Sequence, residues 1–208
     1  MKEADARERM IAKGLEVLSE QGFAATGLDA LLKSAGVPKG SFYHYFRSKS
    51  NFGLAVLERY AEIWDRKLCR ILRDPATRPL MRISNYIEES IAGMVKFDFR
   101  RGCLIGNLGQ ELGALDDTFA KRIGDVFDSW AAHMEACLKE AVESGEISGT
   151  LNAKLLSQFF WTSWEGAVLR SKVQRSIAPL LQFREVILCH LSTAHVFGST
   201  APCIPSDQ

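Results

Sequence analysis

Apolar side chains recur along almost the whole chain at spacings of three and four, and nowhere in strict alternation. Ile11, Leu15 and Leu18 fall at i, i+4 and i+7 ahead of Gly22, the single stripe of an amphipathic helix. Leu28, Leu31, Leu32 and Ala35 make a second, short stripe that ends at Gly36. Pro38 suits the first turn of a third helix. Ser48 is placed to cap a fourth, whose apolar face runs Phe52, Val56, Tyr60, Trp64, Leu68 and Ile71. Pro75 and Pro79 break the pattern. A fifth stripe, Leu80, Ile83, Ile87, Ile91 and Met94, stops at "DFRRG"; a short glycine-containing helix then runs from Cys103 to about Gly113. Phe119, Ile123, Val126, Trp130, Met134, Cys137 and Ala141 mark a long helix closed by Gly145. Two more are expected over about 153–174 and 180–197. The pattern predicts an all-α fold of about nine helices, with residues 198–208, "GSTAPCIPSDQ", as a disordered tail.

Composition narrows the class. A chain of 208 residues with 47% hydrophobic and 25% charged side chains has the make-up of a globular protein with a sizeable core. No apolar run is long enough to span a bilayer, and "MKEADARERM" has no apolar signal core, so no membrane partner is expected and the expected compartment is the cytoplasm. The five cysteines, at 69, 103, 137, 189 and 203, are odd in number and widely spaced, with no CxxC pair. Neither a disulfide framework nor a metal site is indicated, and no cofactor is expected. Cys69, Cys137 and Cys189 lie on helical stripes and are expected in the core, whereas Cys203 lies on the tail.

The net charge of +1 says little, but its distribution says more. Residues 30–57 contain Lys33, Lys39, Arg47 and Lys49 and no acid. Within them "VPKGSFYHYFRSK" (37–49) combines aromatic and basic side chains. Two short helices joined at Gly36 have the form of a helix-turn-helix. On the second, Phe42, Tyr45 and Phe46 fall at i, i+3 and i+4 and can close a small core, leaving Lys39, Gly40, Ser41, Tyr43 and His44 outward. Each has a use in a major groove. Lys39 can meet a guanine edge or a phosphate, Gly40 allows close approach, and the rings of Tyr43 and His44 can pack on thymine methyls. Lys49, near a helix start, is placed for a phosphate. Periodicity alone also fits a bundle whose aromatics are all core and whose lysines are solvated.

Residues 10–57, above all "GFAATGLDALLKSAGVPKGSFYHYFRSKSNF", resemble the N-terminal domain of TetR-family transcriptional repressors. The resemblance implies a homodimer on a palindromic double-stranded operator. Residues 1–50 would form the DNA-binding domain, and 51–197 an effector-binding and dimerisation domain. It points to Lys39, Ser41, Tyr43, His44 and Lys49 as DNA contacts, with the backbone near Gly27 and Leu28 on a phosphate. Gly27 departs from the family pattern, which has Ser or Thr there, so only main-chain N–H groups remain at that contact.

A second stretch carries chemistry. Cys103 follows Arg100, Arg101 and Gly102 and opens a helix. A thiol in that setting is expected to have a lowered pKa and to meet an electrophile or oxidant first; the other reading is a small buried hydrophobe. "RRGCLIGNLGQELG" and "FFWTSWEGAVLRSKV" resemble the branch of the family that includes the N-ethylmaleimide-reductase and acrylate-utilisation repressors. The resemblance implies sensing of reactive electrophiles, α,β-unsaturated carbonyls among them, at Cys103, with Lys172 as its associated lysine.

Arg101, Gln110, Glu111, Trp161, Trp164 and Glu165 are the further candidates around the effector, with the polar ones lining a pocket or lying in a dimer seam. Two alternatives stay open beside the electrophile-released repressor. One is a repressor induced by a reversible ligand, with Cys103 structural. The other is a helical cysteine enzyme using His133 or a glutamate as base, for which the sequence has no local catalytic signature, so a non-enzymatic regulator is expected.

Overall fold

The computed structural model describes residues 2–193, with side chains over 6–192. The expected tail, Cys203 and the end of the last expected helix at Phe197 lie outside the described residues. Among the described residues there are nine helices and no strand. They are α1 (Lys2–Gln21), α2 (Leu28–Ala35), α3 (Lys39–Tyr45), α4 (Lys49–Leu72), α5 (Pro79–Lys96), α6 (Leu104–Leu112), α7 (Asp117–Glu143), α8 (Ala153–Gln174) and α9 (Ala178–Thr193).

Local chemistry sets the boundaries. Gly36, at φ +64, closes α2 while the N–H of Val37 returns to the Leu32 carbonyl, a left-handed cap that a residue with a Cβ would resist. Pro38 precedes α3 as its cap instead of sitting in the first turn, because its extended ψ of 145° cannot belong to the helix. Ser48 Oγ accepts the N–H of Asn51 at the start of α4, and Asp116 and Asn152 cap α7 and α8 in the same way.

Helices α1 to α3 form a head over one aromatic centre. Phe42 is fully buried, with ring centroids 5.5 Å from Phe46 and 5.7 Å from Phe52. Since Phe52 is the fourth residue of α4, the head and the long helix behind it share one core. The larger core lies between α4, α5, α7 and α8. There Trp130 and Trp161 sit 5.1 Å apart, and Tyr86 lies 5.5 Å from Trp161 and 5.8 Å from Trp164. Buried Arg82 ties three elements together: it donates to the Leu72 and Thr77 carbonyls and pairs with Glu140 at 2.6 Å.

Two cysteines depart from expectation. Cys137 is buried, but Cys69 and Cys189 are exposed, each lying just off its helix's apolar stripe. Helices α8 and α9 are apolar on more than one face. Leu155, Phe159, Leu169 and Val173 on α8 and Val186 on α9 remain exposed in the single chain.

Phe42→Ala is expected to destabilise the chain by about 3–5 kcal/mol in urea unfolding, by transfer loss plus a cavity. Tyr43→Ala, one residue along but 53% exposed, should stay within about 0.5 kcal/mol of wild type.

Candidate functional site

The outer face of α3 is assembled as its sequence suggests. Lys39, Gly40, Tyr43 and His44 are exposed and Ser41 half-buried, while Phe42 and Phe46 hold the helix from beneath. Lys39 Nζ lies 2.9 Å from a carboxylate oxygen of Asp29 in the first turn of α2, a partner the spacing did not suggest. Lys49 Nζ stands 4.7 Å above the Phe23 ring and 3.4 Å from the Ala24 carbonyl, close to the start of α2. Gly27 is exposed, and no side chain caps α2 there. The basic and aromatic residues thus share one outward surface beside an uncapped helix start.

Behind the head, α1, α4, α5, α7 and α8 enclose a cavity of about 480 Å³ whose wall is mostly aromatic: Tyr60, Trp64, Tyr86, Trp130, Trp161 and Trp164. Cys103 is part of this wall and only 8% exposed. It is the cap of α6, with its sulfur accepting the N–H of Gly106 at 3.5 Å. Glu165 reaches the same place from α8, its carboxylate packed against Gly106 next to Cys103. Three polar atoms here, Tyr86 Oη, Trp161 Nε1 and Glu165 Oε1, are buried without a hydrogen-bond partner in the protein. An apolar cavity whose lining residues bury a few unpaired polar atoms has the character of a small-molecule site.

The electrostatics reverse one expectation. The Cys103 thiol is pushed well up by burial, and then further by the neighbouring Glu165 charge. The guanidinium groups expected to lower it are committed elsewhere. Arg101 binds Glu16 at 2.9 Å and Glu20 at 2.8 Å and stacks 4.1 Å over Phe97, while exposed Arg100 sits 3.8 Å from Asp98. Burial also raises Glu165, to about 7, with the Cys103 thiol pulling the other way. Lys172 passes beside Gly102, but its amine approaches the Ser19 carbonyl at 3.4 Å, and burial lowers its pKa.

Gln110 is exposed and Glu111 is not on the cavity wall. The Glu111 carboxylate instead accepts the N–H groups of Phe23 and Ala24, at 2.9 and 2.6 Å, in the turn between α1 and α2. Asn107 Nδ2 adds a bond to the Ser19 carbonyl at 3.2 Å. Helix α6 therefore begins in the cavity and ends on the head. Nothing local in the sequence separates this role of Glu111 from that of a solvated acid. Likewise Tyr60, Trp64 and Trp130 read as ordinary core positions until the packing shows a space between them. Among the described residues no cluster of His, Cys, Asp and Glu could hold a metal, and no helix is long and apolar enough to cross a membrane.

Comparison with known proteins agrees with this layout. Residues 10–56 match the model of bacterial regulatory proteins of the tetR family, and residues 79–187 match the tetracyclin repressor-like C-terminal domain. The chain is 42% identical over 188 residues to the transcriptional regulator AcuR of Cereibacter sphaeroides, covering 90% of this chain and 86% of that one. The chain belongs to the TetR family. It is also 34% identical over 182 residues to the transcriptional repressor NemR of Escherichia coli, covering 86% and 89% of the two chains. A crystal structure of a regulatory protein TetR from Rhodobacter sphaeroides superposes with a TM-score of 0.86 at 42% identity, over 89% of this chain and 98% of the other. This member of the TetR family is thus a transcriptional repressor and not an enzyme.

The raised carboxyl has a thermodynamic consequence. Because Glu165 keeps its proton in the folded state up to about 7 and loses it near its ordinary value when unfolded, stability is expected to fall as pH rises between those two values. Glu165→Gln removes that slope. In urea titrations the variant should gain on wild type by on the order of 2–3 kcal/mol between acidic pH and pH ~8.

Proposed function

We propose that this repressor binds a palindromic operator as a homodimer and is released when a small electrophile or oxidant, an α,β-unsaturated carbonyl compound above all, reaches Cys103. One observation carries the reading. The thiol stands on the wall of an aromatic cavity and caps the helix whose other end holds the head. In each head, Lys39, Gly40, Ser41, Tyr43 and His44 read the major groove, while Lys49 and the main chain at Gly27 and Leu28 meet phosphates. Lys39 exchanges Asp29 for DNA, an exposed ion pair that costs little to open. The apolar faces of α8 and α9, with Leu155, Phe159, Leu169, Val173 and Val186, provide the seam for a second copy.

Release follows from the position of α6. An adduct on Cys103 adds volume at the sulfur that accepts the Gly106 N–H, where Glu165 already crowds Gly106. Helix α6 must move, and Glu111 and Asn107 carry the movement to the turn after α1. Two heads displaced in this way no longer match half-sites about one helical turn apart.

The unpaired Tyr86 Oη, Trp161 Nε1 and Glu165 Oε1 support a second reading, in which an inducer is held reversibly by these atoms without reacting. A direct part for Lys172, the lysine the resemblance associates with Cys103, draws less support, because its amine is directed to Ser19.

Fluorescence anisotropy on the upstream DNA, with and without an unsaturated carbonyl compound, separates the readings. Wild type is expected to be released and Cys103→Ser to stay bound; release of both would leave only reversible occupancy. Glu111→Gln keeps the cavity but weakens its hold on the head. Its Cys103 is expected to react at the wild-type rate in mass spectrometry, while the resulting loss of operator affinity shrinks by about tenfold, the effect of a charge-assisted bond of about 1.5 kcal/mol.

A further inference from the structure

Cys103 and Glu165 come from different helices, and they meet because residue 106 has no side chain. A Cβ at Gly106 would collide with the Glu165 carboxylate and would lie 3.8 Å from Cys103 Cβ. Bringing an acid into this wall beside a thiol is costly unless it is paired, hydrogen-bonded or protonated. No cation neutralises it. Lys67 of α4 sits over the Trp64 ring at 4.4 Å and turns to Ser90 and Glu89; Arg101 is held by Glu16 and Glu20, and Lys172 by Ser19. The other ionisable groups facing this end of the cavity are Tyr60 of α4 and Tyr86 of α5, both kept protonated by burial. Glu16 of α1 is engaged by Lys13 and Arg101. That leaves Glu165, with one buried oxygen unpaired, as the base at the thiol. One helical turn earlier, Trp161 lines the same cavity, and its Nε1–H is buried without a partner.

We propose that Glu165 is the acid–base partner of Cys103, taking the thiol proton as sulfur adds to an unsaturated carbonyl compound and returning it to the product; this rests on the reading of Cys103 given above. As the sulfur bonds to the β-carbon, its proton passes to the Glu165 carboxylate. The π electrons of the C=C bond move onto the α-carbon and carbonyl oxygen, forming an enolate whose oxygen accepts a hydrogen bond from Trp161 Nε1–H. Glu165 then delivers the proton to the α-carbon. The product is a thioether, Glu165 is again a carboxylate, and no oxidant or leaving group is involved. A thiol whose ionisation is suppressed by burial is reactive on this route only where the carboxylate touches it, which shields it from thiol reagents that cannot enter the cavity.

The test is the rate of Cys103 adduct formation with methyl vinyl ketone, followed by intact mass and peptide mapping on the full chain from pH ~5.5 to ~9.5. The wild-type rate is expected to rise through an inflection near 7, where Glu165 loses its proton, and then level. Glu165→Gln should react about 100-fold more slowly at neutral pH and lose the inflection, its rate instead climbing with the thiol's own ionisation. Glu165→Asp, which draws the carboxylate back by one methylene, should keep an inflection at a reduced rate. A normal solvent deuterium isotope effect on wild type reads the proton transfer without any variant. A wild-type rate and profile in Glu165→Gln, or an inverse isotope effect, would overturn the proton relay while leaving Cys103 as the sensor. Absence of a Cys103 adduct in wild type across the pH range would overturn the sensing reading itself.

Discussion

One carboxylate on α6 grips the turn that leads from α1 into the rest of the head. Glu111, in the last turn of α6, accepts two main-chain N–H groups from the turn that follows α1. Because the acceptor is charged and the donors belong to the backbone, the bond reports the position of α6 to the chain leading into α2 and α3. Asn107 and Arg101 reinforce it along α1. The head is also held to α4 by apolar contact and by the Arg59–Glu8 ion pair at 2.6 Å.

At the other end of α6 burial sets the protonation. The thiol and the Glu165 carboxyl lie among tryptophan and tyrosine rings, and burial raises the pKa of both. Local sequence suggested the opposite, an arginine-activated thiolate. The arginines are adjacent in sequence but turn away to acidic partners on α1 and to Asp98, and a charge acts through distance and dielectric, not through order along the chain. The site is therefore better described as a buried thiol beside a carboxyl group that titrates near neutrality than as an exposed reactive cysteine.

The DNA-facing surface is simpler, because a short helix leaves little choice. With Phe42 and Phe46 committed to the core, the positions between them must point outward, and they are basic, small or aromatic with polar tips. The exposed apolar stripe on α8 obeys the same logic at larger scale: a helix apolar on several faces within a single chain has surface left for another copy.

Helix number, most boundaries, and α3 with its outward residues were legible in the sequence, since each depends on periodicity and on caps such as Gly36 and Ser48 that act within a few residues. The pairing of Glu165 with Cys103, the commitment of Arg101 and Lys172 to α1, and the grip of Glu111 on the head were not. Those contacts join residues 62 to 153 positions apart, and side chains of the same type could as well have faced solvent. A local pattern decides which face of a helix is apolar; only the packing of one helix on another decides which polar groups are shut in together, and with that their charge.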